Sequence, residues 1–290
     1  MPINHLFIAG AGLMGSGIAQ VSAQAGLEVT LHDVNPAALE KATAGIAWSV
    51  AKLLDKGKIQ GDKDEILARV QTSTTLDAAA KADLVLEAVF EDLQLKGEVL
   101  GALDAICPPP TIMASNTSAI PITELAACTA RPDRVVGLHF FSPVPMMQAV
   151  EVVRGMGTSE QTLASARELV VRLGKAPIMV RVDNPGFLIN RINLPSNLEA
   201  MRMVQAGVGT VEEIDLGMRL ATGRRMGPFE TGDMVGLDVT HAALMALYKE
   251  TRDRRWYPPM ILRRKVKAGH LGRKTGRGWY VYGEDGERLD

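Results

Sequence analysis

Three glycines carry the first chemistry in this chain of 290 residues. Gly10, Gly12 and Gly15 follow an apolar run, Leu6-Phe7-Ile8-Ala9, and Asp33 stands eighteen positions beyond the last of them. In a strand–turn–helix setting the first glycine permits the tight turn. The second lets the backbone approach a pyrophosphate, whose charge sits at the helix N-terminus, and the third lets helix and strand pack closely. Glycine-rich turns are common, so the spacing alone is a weak signal. The context strengthens it: a helix-compatible stretch from Ser16 to Ala25 follows, Gly26 ends it, and a strand over Glu28 to His32 delivers Asp33 at its tip. A carboxylate there accepts hydrogen bonds from an adenine-ribose diol and repels a 2′-phosphate. Val34 and Asn35 follow, with no arginine, which favours NAD over NADP. The competing reading is a plain turn with a surface aspartate.

A second set of residues has the types needed to exchange a proton and hold an oxygen. Ser118 lies just after a strand in Ser115-Asn116-Thr117-Ser118, and His139 ends the strand Val135-Val136-Gly137-Leu138. Glu151 interrupts an apolar strand, Ala149 to Val153, where a charge is costly without a partner. Asn190 lies one turn into a helix opened by Gly186-Phe187-Leu188-Ile189. Singly, each has a bland alternative: a packing histidine, a glutamate on the solvent face of an edge strand, a helix-capping serine, a hydrogen-bonded interdomain asparagine. Spacing alone makes a His139–Glu151 pair one option and does not select it.

The elements that must position these groups form two patterns. Up to about residue 183, short β-rich runs alternate with helical ones. After Asp33 comes a helix opened by Asn35-Pro36 and broken at Lys56-Gly57-Lys58. Strands follow over Val70 to Ser73 and Leu84 to Val89, then a helix from Leu93 to Ile106 and strands at Ile112 to Ser115, Val135 to His139 and Val150 to Val153. Such alternation predicts an α/β fold with a Rossmann-like, doubly wound parallel sheet. Beyond Asp183-Asn184-Pro185-Gly186, which reads as a helix start, the pattern is helical: Leu194 to Val204, Val211 to Leu220, Phe229 to Tyr248 and Ile261 to Lys267, with Pro195 set to kink or divide the first. The expected organisation is therefore residues 1–183 as a dinucleotide-binding domain and 184–290 as an all-helical C-terminal domain.

Composition removes several function classes. The formal net charge of −1 gives no global attraction to nucleic acid or to a membrane surface. No apolar run reaches the ~18 residues of a membrane span. Cys107 and Cys128 form no metal spacing and read as buried, inert thiols; no metal is expected. The N-terminal residues lack a basic leader, and the last ones are no peroxisomal address, so the expected location is the cytoplasm.

Longer segments carry a resemblance. Gly10-Ala-Gly-Leu-Met-Gly-Ser-Gly-Ile-Ala19, Glu87-Ala-Val-Phe-Glu91-Asp-Leu-Gln-Leu-Lys96, Ala114-Ser-Asn-Thr-Ser118, Gly137-Leu-His139-Phe-Phe-Ser142-Pro-Val-Pro145, Glu151-Val-Val and Asn184-Pro-Gly-Phe-Leu-Ile-Asn190-Arg191 run in order along the chain. Met226-Gly-Pro-Phe-Glu230, Val235-Gly-Leu-Asp238 and Gly272-Arg-Lys-Thr-Gly276-Arg-Gly-Trp-Tyr280 continue the series. Together they resemble the 3-hydroxyacyl-CoA dehydrogenase family, close to its short bacterial 3-hydroxybutyryl-CoA members. The resemblance implies NAD-dependent oxidation of a short L-3-hydroxyacyl-CoA to the 3-oxoacyl-CoA and the reverse. It assigns His139 as general base, Glu151 as the carboxylate on the imidazole's other nitrogen, and Ser118 and Asn190 as groups that hold the substrate oxygen. Asp33, Glu91 and Lys96 match positions that contact NAD, and Ser49 and Lys56 match positions that meet coenzyme A. It further implies that the helical domain closes the acyl site and forms a homodimer.

Some residues depart from the family pattern. Ser142 stands where relatives commonly have an asparagine near the nicotinamide, and Met146-Met147-Gln148-Ala149 replaces a stretch in which relatives often carry lysine and leucine. Between Arg252 and Arg277 lie ten basic residues and one acidic residue, Asp253. They read either as counter-charge for coenzyme A phosphates or as a solvated face or subunit contact. Two other functions stay open: a related hydroxyacid dehydrogenase acting on carnitine or a sugar acid, and a redox-silent NAD-binding structural protein.

Overall fold

The computed structural model describes residues 3–289. Its first unit, Met1–Phe187, is built on one sheet. The strands are β1 (His5–Ala9), β2 (Glu28–His32), β3 (Val70–Ser73), β4 (Leu84–Glu87), β5 (Ile112–Ser115), β6 (Val135–Phe140), β7 (Ala149–Val153) and β8 (Ala176–Val180), in the order β3-β2-β1-β4-β5-β6-β7-β8. Strands β1 to β6 are parallel. β7 then runs antiparallel to β6, and β8 parallel to β7. This corrects the expectation of a parallel sheet throughout. Residues 141–148, which join β6 to β7, are fewer than the dozen or so that a parallel crossover needs, so the chain turns back as a hairpin.

Helices α1 (Leu13–Gln24), α2 (Pro36–Asp55), α3 (Lys63–Ala68), α4 (Leu93–Ile106), α5 (Ile122–Ala126) and α6 (Glu160–Arg172) join the strands. Asn35 caps α2 by accepting from the Ala37 N–H, with Pro36 at its first turn. Successive strand residues face opposite ways. Leu6 and Ile8 of β1 enter one hydrophobic cluster with Leu31, Leu84 and Leu86, whereas Phe7 and Ala9 enter another with Val85, Met113 and Val135. Both faces of the sheet are thereby buried, as a sheet with crossover helices requires. Helix α6 and strand β8 lie outside the elements expected from the sequence. Ser159 caps α6, and β8 begins at Ala176-Pro177 on the sheet's edge, where a proline is tolerated.

Asp183-Asn184-Pro185-Gly186 does not start a helix. It forms a turn in which the Phe187 N–H donates to Asn184 C=O at 2.9 Å and Phe187 takes a φ of 47°. The second unit, Leu188–Asp290, begins just beyond it. It holds α7 (Ile189–Gln205), α8 (Val211–Thr222), α9 (Pro228–Val235), α10 (Leu237–Thr251) and α11 (Met260–Lys267). Pro195 lies inside α7 without dividing it. The single helix expected over Phe229 to Tyr248 is two, separated at Gly236, whose φ of 108° ends the first.

After α11 the chain is held by isolated antiparallel bridges such as Gly272–Arg277 and Arg277–Val281, so this unit is not helical throughout. Its tail wraps two buried carboxylates. Asp233 accepts from the Trp279 and Tyr280 N–H groups at 2.8 and 2.9 Å and from the Tyr282 hydroxyl at 3.0 Å. Asp215 accepts from the Phe229 and Glu230 N–H groups and from the Tyr280 hydroxyl. Several of the basic residues serve the same packing: Lys265 donates to Gly278 C=O, Lys274 pairs with Asp238, and Arg273 stacks over Tyr282. Among the described residues no helix is long and apolar enough to cross a membrane.

Candidate active site

The site candidates of the first unit follow the carboxyl ends of the parallel strands, where doubly wound sheets place ligands. At β1, Gly10 has a φ of +107°, and a Cβ there would fall 2.7 Å from Ala88 C=O. A Cβ at Gly15 would fall 1.8 Å from Gly10 C=O, so the turn closes onto α1 only with glycine. Gly12 differs: a Cβ would meet nothing within 4 Å, and no side chain caps α1. The helix's first amide groups are therefore left to a ligand, which suits a pyrophosphate. Asp33 is tied to this turn, because its Oδ2 accepts from the Ala11 N–H at 2.9 Å and its Oδ1 from the Asn35 N–H at 3.0 Å. A carboxylate has about four acceptor positions, so capacity remains for a ribose diol. These residues fit a bound NAD.

At β6, His139 and Glu151 are direct register partners across the antiparallel β6–β7 pair. That register puts both side chains on one face. His139 Nδ1 lies 2.6 Å from Glu151 Oε2, and both residues are buried. Phe141 and Phe187 pack on the imidazole with ring centroids 4.5 and 5.7 Å away. With Nδ1 engaged, Nε2 is the nitrogen left to exchange a proton. Glu151 is thus on an inner strand, not on a solvent-facing edge; β8 takes the edge.

Ser118, after β5, belongs to a second cluster. Glu91 Oε1 accepts from the Thr117 hydroxyl at 2.7 Å, the Ser118 N–H at 2.8 Å and the Ser118 hydroxyl at 3.2 Å. Burial works to push the Glu91 carboxyl up, but the Lys96 ammonium and the Thr117 and Ser118 hydrogen bonds outweigh it and hold the group below the usual glutamate range. Lys96 lies deeper than its assignment to the cofactor implies: it is buried, 2.7 Å from Glu87 Oε1 and 3.2 Å from Glu91 Oε2. Burial raises the Glu87 carboxyl above its ordinary value, against the pull of Lys96 and of the hydrogen bonds from Ser115 and Val89.

The remaining candidates stand elsewhere. Ser142 is half-buried in the β6–β7 loop, before a cis peptide bond to Pro143. Ser49 is half-buried in α2, and Lys56 is its exposed C-terminal cap. Asn190 is half-buried at the start of α7, in the second unit. Both cysteines are free; Cys107 is buried, which pushes its thiol up to about 11, but Cys128 is exposed, against the expectation for it.

Three positioning groups escaped the sequence reading. Asn116 Oδ1 accepts from the Phe140 N–H at 2.9 Å and ties the end of β6 to β5. Lys175, buried, donates to Val144 and Met147 C=O at 2.7 Å each, and so pins the loop between His139 and Glu151. Glu87 had a signal: it ends an apolar run, Leu84-Val85-Leu86, as Glu151 interrupts another. A charge there is as costly without a partner as at Glu151.

Comparison with known proteins agrees with this architecture. The family described as "3-hydroxyacyl-CoA dehydrogenase, NAD binding domain" matches residues 5–183, and "3-hydroxyacyl-CoA dehydrogenase, C-terminal domain" matches residues 186–282. A probable 3-hydroxybutyryl-CoA dehydrogenase of Bacillus subtilis is 45% identical over 285 residues, 98% of this chain and 99% of that protein. The crystal structure of (S)-3-hydroxybutyryl-CoA dehydrogenase PaaH1 from Ralstonia eutropha superposes with a TM-score of 0.90 at 45% identity, covering 97% of this chain and 100% of that one. That of FadB2 from M. tuberculosis gives a TM-score of 0.94 at 39% identity, covering 98% and 100%. With an NAD-binding domain and a family C-terminal domain in sequence, this chain belongs to the 3-hydroxyacyl-CoA dehydrogenase family of NAD-dependent oxidoreductases.

Proposed function

We propose that the protein interconverts a short-chain L-3-hydroxyacyl-CoA, such as 3-hydroxybutyryl-CoA, and the 3-oxoacyl-CoA, with His139 and Glu151 as the proton-transfer pair. The observation that carries this reading is the 2.6 Å contact between His139 Nδ1 and Glu151 Oε2 at the carboxyl end of the parallel strands. The high identity to proteins named for 3-hydroxybutyryl-CoA supports the substrate class.

Bound NAD would supply the acceptor for the hydride that leaves carbon 3 of the substrate. Gly10, Gly12 and Gly15 would give its pyrophosphate the amide turn, and Asp33 would take the adenine ribose. Glu91 and Lys96 would serve the cofactor side, Lys96 as a buried counter-charge to Glu91, and Ser142 would face the nicotinamide end. In the oxidation direction His139 Nε2 removes the proton of the 3-hydroxyl. Glu151 fixes the tautomer through Nδ1 and stabilises the imidazolium that forms. In reduction the imidazolium returns that proton to the oxygen at carbon 3. Ser118 and Asn190 hold this oxygen, while Ser49 and Lys56 meet coenzyme A. A homodimer and a cytoplasmic location complete the reading.

Initial rates with NADH test it, using acetoacetyl-CoA against acetoacetate and carnitine-type substrates without a thioester. Turnover that requires the CoA thioester supports the proposal. Equal turnover of the free acids would point to a related hydroxyacid dehydrogenase, and NADH binding without any turnover to a redox-silent protein.

A further inference from the structure

Glu87 is a buried charge of the first unit that the proposed reaction leaves unused. It is fully buried at the end of β4. A carboxylate in that position is retained only with partners, and its two oxygens reach the same loop by two routes. On one side, Oε2 accepts from Ser115 Oγ at 2.6 Å, and Ser115 Oγ itself accepts from the Thr117 N–H at 3.2 Å. On the other, Oε1 accepts from the Val89 N–H and from Lys96 Nζ, each at 2.7 Å. The Lys96 ammonium also donates to Val89 C=O at 3.1 Å and pairs with Glu91 Oε2 at 3.2 Å. Its three protons are thereby committed within the protein. The other Glu91 oxygen gathers the Thr117 hydroxyl, both donors of Ser118 and the Ala119 N–H within 2.7 to 3.2 Å.

We propose that Glu87 is a positioning residue: through Ser115 on one side, and through Lys96 and Glu91 on the other, it fixes the Thr117–Ala119 loop so that the Ser118 hydroxyl is held in one place for the substrate oxygen. The inference rests on the assignment of Ser118 made above. A short hydroxyl reaches its partner over a narrow range, and a small displacement of the loop costs rate out of proportion to its size. Glu87 also sets where Lys96 sits. With the charge at 87 removed, Glu91 is the one carboxylate left on the ammonium among the described residues. Lys96 is then drawn toward Glu91 and competes with Ser118 for it.

The test is a double-variant cycle in the full-length protein. Glu87→Gln keeps the size and much of the acceptor capacity and removes the charge. Wild type, Glu87→Gln, Ser118→Ala and the double variant are compared for kcat/KM with acetoacetyl-CoA at saturating NADH, and for NADH affinity by fluorescence titration. Glu87→Gln is expected to lower kcat/KM about tenfold, to change the NADH Kd less than about threefold, and to add almost nothing in the Ser118→Ala background. Effects that multiply in the double variant overturn the proposal and leave the Ser118 assignment standing. A loss of NADH affinity equal to the loss in kcat/KM overturns it too, because Glu87 would then act through the cofactor. If Ser118→Ala alone leaves kcat/KM unchanged, the assignment of Ser118 fails and this proposal falls with it. Ser115→Ala cuts one route, leaves every charge in place and serves should Glu87→Gln not fold. About a threefold loss, again absent in the Ser118→Ala background, is expected from it, and multiplicative effects overturn the proposal here as well.

Discussion

Two buried polar centres, one in each unit, use carboxylates in opposite ways. In the first unit Glu151 meets an imidazole, and Glu87 and Glu91 share an ammonium. In the second, Asp215 and Asp233 accept from backbone N–H groups and tyrosine hydroxyls. The first set faces partners whose protons and charges can shift, beside the candidate site. The second joins the start of α9 to the C-terminal tail. Burial of a charge therefore does not mark a reactive group; the nature of its partner does.

The largest expected difference is at His139. His139→Ala should lower turnover of acetoacetyl-CoA by about 1,000-fold while NADH affinity stays within about threefold, read by steady-state rates and fluorescence titration. Near-wild-type turnover would break the comparison and the mechanism together. Asp233→Ala should do the reverse. It leaves three donors without their acceptor and should cost about 3 kcal/mol of stability in urea unfolding, with NADH affinity of the folded protein unchanged. Glu151→Gln should come next. It keeps the shape and loses the charge proposed to stabilise the imidazolium, so turnover should fall about 100-fold with little change in unfolding midpoint. Lys175→Met removes the cation that pins the loop between the pair, and about a tenfold loss in kcat/KM is expected, mostly in kcat.

The smallest effect is a pH dependence whose sign differs between Glu91 of the first unit and Asp215 and Asp233 of the second. Burial raises the carboxyls of Asp215 and Asp233 in the folded protein, against the hydrogen bonds they accept. The folded state then keeps protons that the unfolded chain has lost. Their contribution is most favourable below the ordinary aspartate pKa of about 3.9 and declines as pH rises through the raised folded values. Glu91 is held down, so its contribution is present above the ordinary glutamate range and is lost as pH falls through its folded value. Fluorescence of the buried Trp256 and Trp279 reports the second unit. Asp215→Asn should flatten the acid-side pH dependence of its unfolding midpoint, and an unchanged profile would remove Asp215 from the account.

How far the sequence could be read varied with the range of the interactions involved. The strand at Val70–Ser73, the helix at Leu93–Ile106 and the turn built on Gly10 and Gly15 depend on neighbours within a few residues, and pattern located them. Helix α6, within the segment from 154 to 183, lies outside the expected elements, although Leu163, Ala166, Leu169 and Val170 mark one of its faces. Pro185 pointed to a helix start, but the left-handed turn at Phe187 delays the helix to Ile189. For the site, the residue types were legible at Ser118, His139 and Glu151. The resemblance also implied the His139–Glu151 pair, but the partners of Ser118 and the cation that pins the loop between the pair were not legible, because Ser118 is tied to Glu91 and Lys175 to Val144 across segments that only the strand order brings together.

The chain by itself determined the dinucleotide turn, the acidic residue that follows it and the family to which the segments belong, because these are written in contiguous residues. Tertiary structure alone decided that β7 turns back on β6. That reversal sets Glu151 opposite His139, since a register between strands is a property of the pair and of the short loop joining them. It decided in the same way which buried acids pair directly with a cation or an imidazole and which are hydrogen-bonded by N–H and hydroxyl donors. A carboxylate's surroundings are contributed by residues distant in sequence, and those surroundings separate a reactive acid from one that holds the fold together.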